Sequence, residues 1–167
     1  MKRFALLLVL LLIPALCLAS PQSFIDGLAP HLDIVADAGL FPSVYIAMAA
    51  LETGWGRSEA GRWNNYWGIK CMGPPCFAKK TWEIYDGKYW EGKLLFQAFP
   101  DLKTATQAYC RKILWQREYQ NVEYSSRDAH IDSLAKVWAT DPDYAWKIKS
   151  IIKVWKLEQF DSDAEAP

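Results

Sequence analysis

Two glutamates stand out by type and position. Glu52 is the only charged side chain between Asp37 and Arg57, in the run Ala50-Leu51-Glu52-Thr53-Gly54-Trp55-Gly56. It falls two residues ahead of a helix-ending glycine, where unsatisfied carbonyls make the local field negative. That field and the apolar neighbours both disfavour a carboxylate there. A carboxylic acid still protonated near neutral pH is what general-acid chemistry requires. The plain alternative is a glutamate that points from the last helical turn into solvent, and position alone does not separate the two. Glu83 is the second candidate. In Thr-Trp-Glu-Ile-Tyr (81–85), strand alternation puts Thr81, Glu83 and Tyr85 on one face and Trp82 and Ile84 on the other. Taken alone, Glu83 reads as a solvated strand residue. If its strand folds over a helical body, the two carboxyls flank a cleft, the arrangement for hydrolysing a glycosidic bond. Their separation would tell the route: about 5–5.5 Å for a covalent nucleophile, about 6.5–9.5 Å for an activated water.

The elements that must hold these residues follow from periodicity. Ser23 and Asp26 suggest a capping box for a helix with Phe24, Leu28, Leu32 and Val35 on one face, ending at Gly39. Pro42 and Gly54 bracket a second helix that is apolar nearly all round and is therefore expected at the centre. Between Trp55 and Lys80 the density of Gly, Asn, Pro and Cys predicts loops. From Thr81 the pattern changes to alternation, and Asp86-Gly87 between the alternating runs is a hairpin signal. Helical spacing then resumes. Asp101 caps a helix with Leu102, Ala105, Tyr109 and Ile113; a second carries Ile131, Leu134, Ala135 and Trp138. Asp141-Pro142 opens a third, with Tyr144, Ile148, Ile151, Ile152 and Trp155 in one stripe. The expectation is an α+β protein, mainly α, with a helical core and a small β-hairpin lobe.

Composition narrows the function. Met1-Lys2-Arg3, the apolar run from Phe4 to Ile13 and the small residues near Ala19 read as a secretory signal peptide over 1–19. Residues 20–160 form one domain, and the acidic segment 161–167 is expected to be a disordered tail. Nineteen basic and nineteen acidic residues balance, which gives no electrostatic case for nucleic acid or anionic lipid, and no segment is long enough to span a membrane. Nine tryptophans suggest either a heavy core or a groove that stacks on sugar rings or bases. Trp138 and Trp155 lie on apolar helical stripes and are expected in the core; Trp82 and Trp90, on the hairpin, fit packing or sugar contact equally. Trp55 is expected beneath Glu52, helping to desolvate it. Past the leader, Cys71 and Cys76 flank a Gly-Pro-Pro loop and are expected to form a disulfide in an oxidising compartment. Cys110 reads as a buried free thiol. His31 and His130 are not at ligand spacing from the cysteines, so no metal site is expected.

The segment AMAALETGWGRSEAGRWNNYWGIKC (47–71) resembles the signature of glycoside hydrolase family 73, bacterial and phage N-acetylglucosaminidases that include the flagellar rod-associated peptidoglycan hydrolases. That signature runs Ala-Leu-Glu-Ser/Thr-Gly-Trp-Gly, then Asn-Asn-x-Phe-Gly-Ile-Lys. KTWEIYDGKYWEG (80–92) is similar to the family's hairpin, and WATDPDYAWKIKSII (138–152) to its Tyr-Ala-Thr-Asp-Pro-x-Tyr-Ala segment, with Trp138 where the family often has Tyr. The resemblance implies a lysozyme-like helical fold and an exported, monomeric enzyme, periplasmic or extracellular, that needs no cofactor. Its partner would be the glycan strand of peptidoglycan, cut at the β-1,4 bond after N-acetylglucosamine. Glu52 would be the general acid. Glu83 would activate water or position a substrate whose own acetamido group attacks. Tyr144 would support the transition state through the acetamido group. Asn65, Tyr66 and Trp67 would line the sugar cleft, with Trp67 keeping a stacking surface, and Tyr85 would add a contact from the hairpin. The same fold also serves muramidases and lytic transglycosylases, and a wall-binding protein without turnover is the non-enzymatic alternative.

Overall fold

The structure, a computed structural model, describes residues 20–85 and 88–161, with side chains described except those of residues 82–85, 89 and 90. The leader, the Asp86-Gly87 turn and the segment 162–167 lie outside the described residues. Helix α1 (Pro21–Leu28) leads through a 3-10 turn (Ala29–His31) into α2 (Leu32–Asp37) and then α3 (Pro42–Thr53). A 3-10 turn (Glu59–Trp63) precedes an antiparallel hairpin of β1 (Cys76–Tyr85) and β2 (Lys88–Gln97). Helices α4 (Leu102–Trp115), α5 (Arg127–Trp138) and α6 (Tyr144–Trp155) follow, and a 3-10 turn (Leu157–Phe160) closes the body. This is the mainly helical core with a small hairpin lobe that the periodicity predicts. Among the described residues, no helix is long and apolar enough to cross a membrane.

Several helix ends differ from expectation for local reasons. The first helix starts at Pro21 with Ser20 as its cap, the Ser20 hydroxyl accepting from the Ser23 amide at 3.1 Å. Proline has no amide hydrogen to satisfy and a preset φ, so it takes the first helical position and moves the cap to the serine ahead of it. Asp26, expected in a capping box, instead accepts from the Gln22 side chain at 2.8 Å. Pro30 divides the expected single helix into α1 and α2, because a proline inside a helix removes a ladder hydrogen bond. Asp141-Pro142 does not open α6. The Asp141 carboxylate accepts from the Asp143 amide at 2.9 Å and its carbonyl from the Tyr144 amide at 3.1 Å, so the two residues form a side-chain-stabilised turn ahead of the helix.

Helix α3 is the axis of the core. Every residue from Pro42 to Ala50 is buried, as its all-round apolarity requires. Trp67 stacks on Tyr45 at 4.5 Å between ring centroids, and the Tyr109 edge closes the cluster at 5.2 Å from Tyr45. Cys110 lies buried and unpaired in α4, its thiol pushed up to about 11 by burial. Phe41, at the N-cap of α3, offers no side-chain cap. Asp161 supplies it from the far end of the chain: its carboxylate accepts from the Ser43 amide at 2.8 Å and the Ser43 hydroxyl at 2.6 Å, with the Arg127 guanidinium 3.5 Å away. Asp161 therefore belongs to the folded body, and the tail expected over 161–167 does not include it.

The hairpin starts at Cys76, five positions before the alternation that signals it. Phe77 and Phe96 pair across the strands at 5.9 Å, and Phe77 stacks on Trp63 at 5.6 Å, so the base of the lobe has an apolar cluster of its own. A Cys71–Cys76 disulfide closes the loop below it. The Gln97 amide ties that loop down, donating to the carbonyls of Gly73 at 3.0 Å and Pro75 at 2.9 Å.

Candidate active site

The turn after α3 determines where Glu52 points. The Thr53 hydroxyl donates to the Ala49 carbonyl at 2.6 Å and accepts from the Gly56 amide at 2.8 Å, while the amides of Gly54 and Trp55 both return to the Ala50 carbonyl. Gly54 and Gly56 take left-handed φ values of 58° and 76°, and a Cβ on Gly56 would stand 2.9 Å from the Phe24 ring. Glycine is needed there because an L side chain in that conformation is strained and this one has no room. The Thr-Gly-Trp-Gly that follows Glu52 is thus a closing device for the helix. It leaves Glu52 half-buried in the last turn, at the wall of a cleft of about 720 Å³.

That cleft runs between the end of α3, the 65–70 loop, the hairpin face carrying Lys79, Thr81 and Phe96, and the stretch from Lys136 to Lys147 that joins α5 to α6. Glu52 Oε1 accepts two hydrogen bonds: from the Tyr144 hydroxyl at 2.8 Å and from the Trp138 indole Nε1 at 3.2 Å. Tyr144 is the first residue of α6 and Trp138 the last of α5, so the 139–143 connection sets both donors against the carboxyl. Burial, and then the charge of Glu52, hold the Tyr144 phenol well above its ordinary pKa, which keeps it a donor.

Trp138, expected in the core, is therefore a cleft residue whose N–H engages the acid. Its ring still leans on Tyr119 and Tyr109, at 6.0 and 6.1 Å, but at the last helical position the indole edge emerges into the cleft. The stripe of apolar residues concealed this, whereas its place immediately before Ala-Thr-Asp-Pro was the available signal. Trp55 is displaced the other way. Its ring packs on Trp155 at 5.0 Å and Phe24 at 5.9 Å, between α6 and α1, rather than beneath Glu52. Trp155 packs against the core.

Asn65, Tyr66 and Trp67 all border the cleft, in different ways. Asn65 is fully buried, and its amide donates to the carbonyls of Ile69 and Gln97, each at 2.8 Å, while accepting from the Ile69 amide. It fastens the loop to the hairpin. Trp67 is 1% exposed, donates to the Tyr45 carbonyl at 3.1 Å and gives its face to Tyr45, so the stacking surface expected for sugar is used by the core. Burying an indole gains more than exposing it, and Tyr45 and Tyr109 supply the slot. Tyr66 is the half-buried member of the three, leaning on Phe24 at 5.3 Å.

Glu83 and Tyr85 lie in β1, opposite Trp90 and Lys88 in the hairpin register. They take the next two alternate positions after Lys79 and Thr81, which line the cleft. Their side chains, and those of Trp82 and Trp90, lie outside the described ones. Periodicity gave no notice of the lysines in the lining, at 70, 79, 112, 136 and 147.

The sequence profile of the glucosaminidase family, described as mannosyl-glycoprotein endo-beta-N-acetylglucosaminidase, matches residues 31–157. The chain is similar to a probable N-acetylmuramidase of Lactococcus lactis subsp. lactis, 31% identical over 162 residues that cover 88% of this chain and 36% of the relative. It is also similar to the exo-glucosaminidase LytG of Bacillus subtilis, 31% identical over 150 residues, 84% of this chain and 53% of the relative. It thus spans only a third to a half of these relatives. Among solved structures, the catalytic domain of the autolysin Auto from Listeria monocytogenes superposes with a TM-score of 0.74 at 31% identity, over 87% of this chain and 92% of that one.

Proposed function

Because the chain belongs to the glucosaminidase family and has the fold of a glycoside hydrolase, we propose that it is an exported endo-β-N-acetylglucosaminidase that hydrolyses the β-1,4 bond after N-acetylglucosamine in peptidoglycan. The observation that carries this reading is the doubly held Glu52 carboxyl at the cleft wall. Both hydrogen bonds go to Oε1, so Oε2 is the oxygen that presents a proton to the leaving sugar. As that proton departs, negative charge develops on a group whose two donors are already in place. Donors aimed at a developing charge lower the barrier because they need no reorganisation. The Tyr144 hydroxyl donates its hydrogen bond to Glu52, and the lone pairs of its oxygen are left to accept the N–H of the substrate's acetamido group.

In this reading Glu83, on the hairpin strand β1, is the second carboxylate, which activates water or orients the acetamido group for internal attack. Tyr66 and Tyr85 contact the sugar rings. The leader directs export, and the Cys71–Cys76 bridge suits an oxidising compartment.

A second reading, cleavage after muramic acid, is favoured by the name of the Lactococcus lactis relative. Digestion of purified peptidoglycan, borohydride reduction and mass spectrometry of the products separates the two. Reduced N-acetylglucosamine ends that vanish in Glu52→Gln support the proposal. Reduced muramic acid ends transfer the protein to the second reading, and anhydro-muramic ends indicate transglycosylation. No new ends at all overturn both in favour of a binding role.

A further inference from the structure

The charge lining the cleft is lopsided. Among the described side chains that border it are Lys70, Lys79, Lys112, Lys136 and Lys147, against Glu52 and Asp141, in a chain whose charges balance overall. Asp141 is already engaged with Lys147. Of the others, Lys79 lies on the hairpin and Lys112 on α4.

Lys112 is the most constrained of these cations. It is half-buried, bonded to the Gln116 side-chain oxygen at 3.0 Å, with its ammonium 4.8 Å from the Tyr119 ring centroid and 5.6 Å from that of Trp138. Burial chiefly, and also the nearby Lys70 ammonium, push its pKa below the ordinary lysine value, against an opposing pull from Glu118. Lys70 and Lys79 stand over a single ring, Phe96, at 4.4 and 5.9 Å. The Trp138 ring that touches Lys112 is also the donor to Glu52. Cations held on an aromatic floor, one indole away from the acid, form a surface on which an anionic group of a bound glycan gains affinity and a neutral sugar does not.

We propose that Lys112 and Lys79 form a carboxylate-binding wall of the cleft, which engages the anionic groups that wall glycan presents beside its sugars. The inference rests on the peptidoglycan reading above. Two carboxylate sources fit: the lactyl group of muramic acid and the stem peptide attached to it. The wall contributes affinity and substrate choice, so it favours muramic-acid-bearing strands over chitin-like strands of the same length.

Its test is kept apart from turnover by measuring binding in the Glu52→Gln background, by calorimetry, on three soluble glycans. One is intact peptidoglycan fragments; another is strands stripped of peptide by an amidase, which bear free lactyl carboxylates; the third is chitin oligosaccharides, which bear none. For partly exposed ion pairs, Lys112→Met with Lys79→Gln is expected to weaken binding of a carboxylate-bearing strand about five- to tenfold relative to chitin. Raising salt from about 0.05 to 0.5 M should shrink that selectivity in the parent and not in the double variant. Loss on stripped strands assigns the lactyl carboxylate, and loss on intact fragments alone assigns the stem peptide. Equal loss on all three glycans, or no change on any, overturns the proposal. If the parent protein releases no new ends from peptidoglycan while the lysine-dependent selectivity is present, the hydrolase reading fails and the carboxylate wall stands.

Discussion

The hydrogen bonds on Glu52 Oε1 make a quantitative claim. Tyr144→Phe removes the 2.8 Å donor to Glu52 and keeps the ring that packs at the start of α6. A hydrogen bond to a charged acceptor contributes about 1.5–3 kcal/mol. If that contribution is realised only as the carboxylate forms, kcat falls by about 10- to 150-fold. The lost Glu52 bond shows in kcat, since it strengthens after the ground state, whereas the lost acetamido contact shows in KM. Trp138→Phe removes the longer donor at 3.2 Å. At the ordinary contribution of about 0.5–1.5 kcal/mol, it should lower kcat by about 2- to 12-fold. The two donors share one oxygen, so either single variant is cushioned by the donor that remains. The double variant should therefore exceed the summed single losses, by about 0.5–1 kcal/mol of coupling. The assay is steady-state kinetics on soluble glycan strands for parent, single and double variants, each checked for an unchanged thermal midpoint. A Tyr144→Phe enzyme within twofold of the parent in kcat refutes the positioning argument. A raised KM with unchanged kcat relocates the phenol's contribution to ground-state binding.

The remaining predictions concern the frame that holds the site. Asp161→Ala strips the cap from α3 and leaves the buried Ser43 amide and hydroxyl without their acceptor; we expect a loss of about 2–4 kcal/mol, read as a lower urea midpoint, and an unchanged midpoint refutes the clamp. Gly56→Ala puts a Cβ at left-handed φ against Phe24, 2.9 Å away, and should cost about 1–3 kcal/mol; a neutral result would mean that the Thr53 turn has slack. His130 is buried between Phe41 and Tyr124, and burial lowers its pKa from 6.5 against the opposing effect of the Glu123 carbonyl. The unfolded chain then takes up the proton first, so the stability that His130 contributes is complete above about pH 6.5 and falls as pH drops below it, by at most about 1.4 kcal/mol per pH unit. Stability of the parent should decline more steeply from pH 6.5 to 5 than that of His130→Gln, and parallel slopes refute the assignment.

What the sequence reveals divides along the distance over which each signal acts. Periodicity shows α3 as the buried axis because its residues Val44 to Ala50 are apolar whichever way they face. Gly54 marks the end of that helix because a left-handed residue is a local requirement. Glu52 is legible for the same reason: one charge at the end of an apolar helix is visible in a few adjacent residues. Its two donors are not legible from periodicity, since Trp138 and Tyr144 stand 86 and 92 positions away and an apolar stripe assigns an indole to the core without registering where its N–H points; the motif resemblance singled out Tyr144, but for an acetamido contact and not as a donor to Glu52. The Asp161 cap, 118 positions from Ser43, lay in a segment whose composition reads as tail. Trp67 shows the opposite error. A motif placed a large aromatic beside the cleft, yet Tyr45 and Tyr109 had already formed a slot that buries it. Motif spacing identifies which residues meet at a cleft, while competition for burial decides which of them keep a free face. Here the outcome leaves the acid held by two donors brought together by one five-residue connection, 139–143, and so the geometry of Glu52 depends on how α5 ends and α6 begins as much as on the helix that carries it.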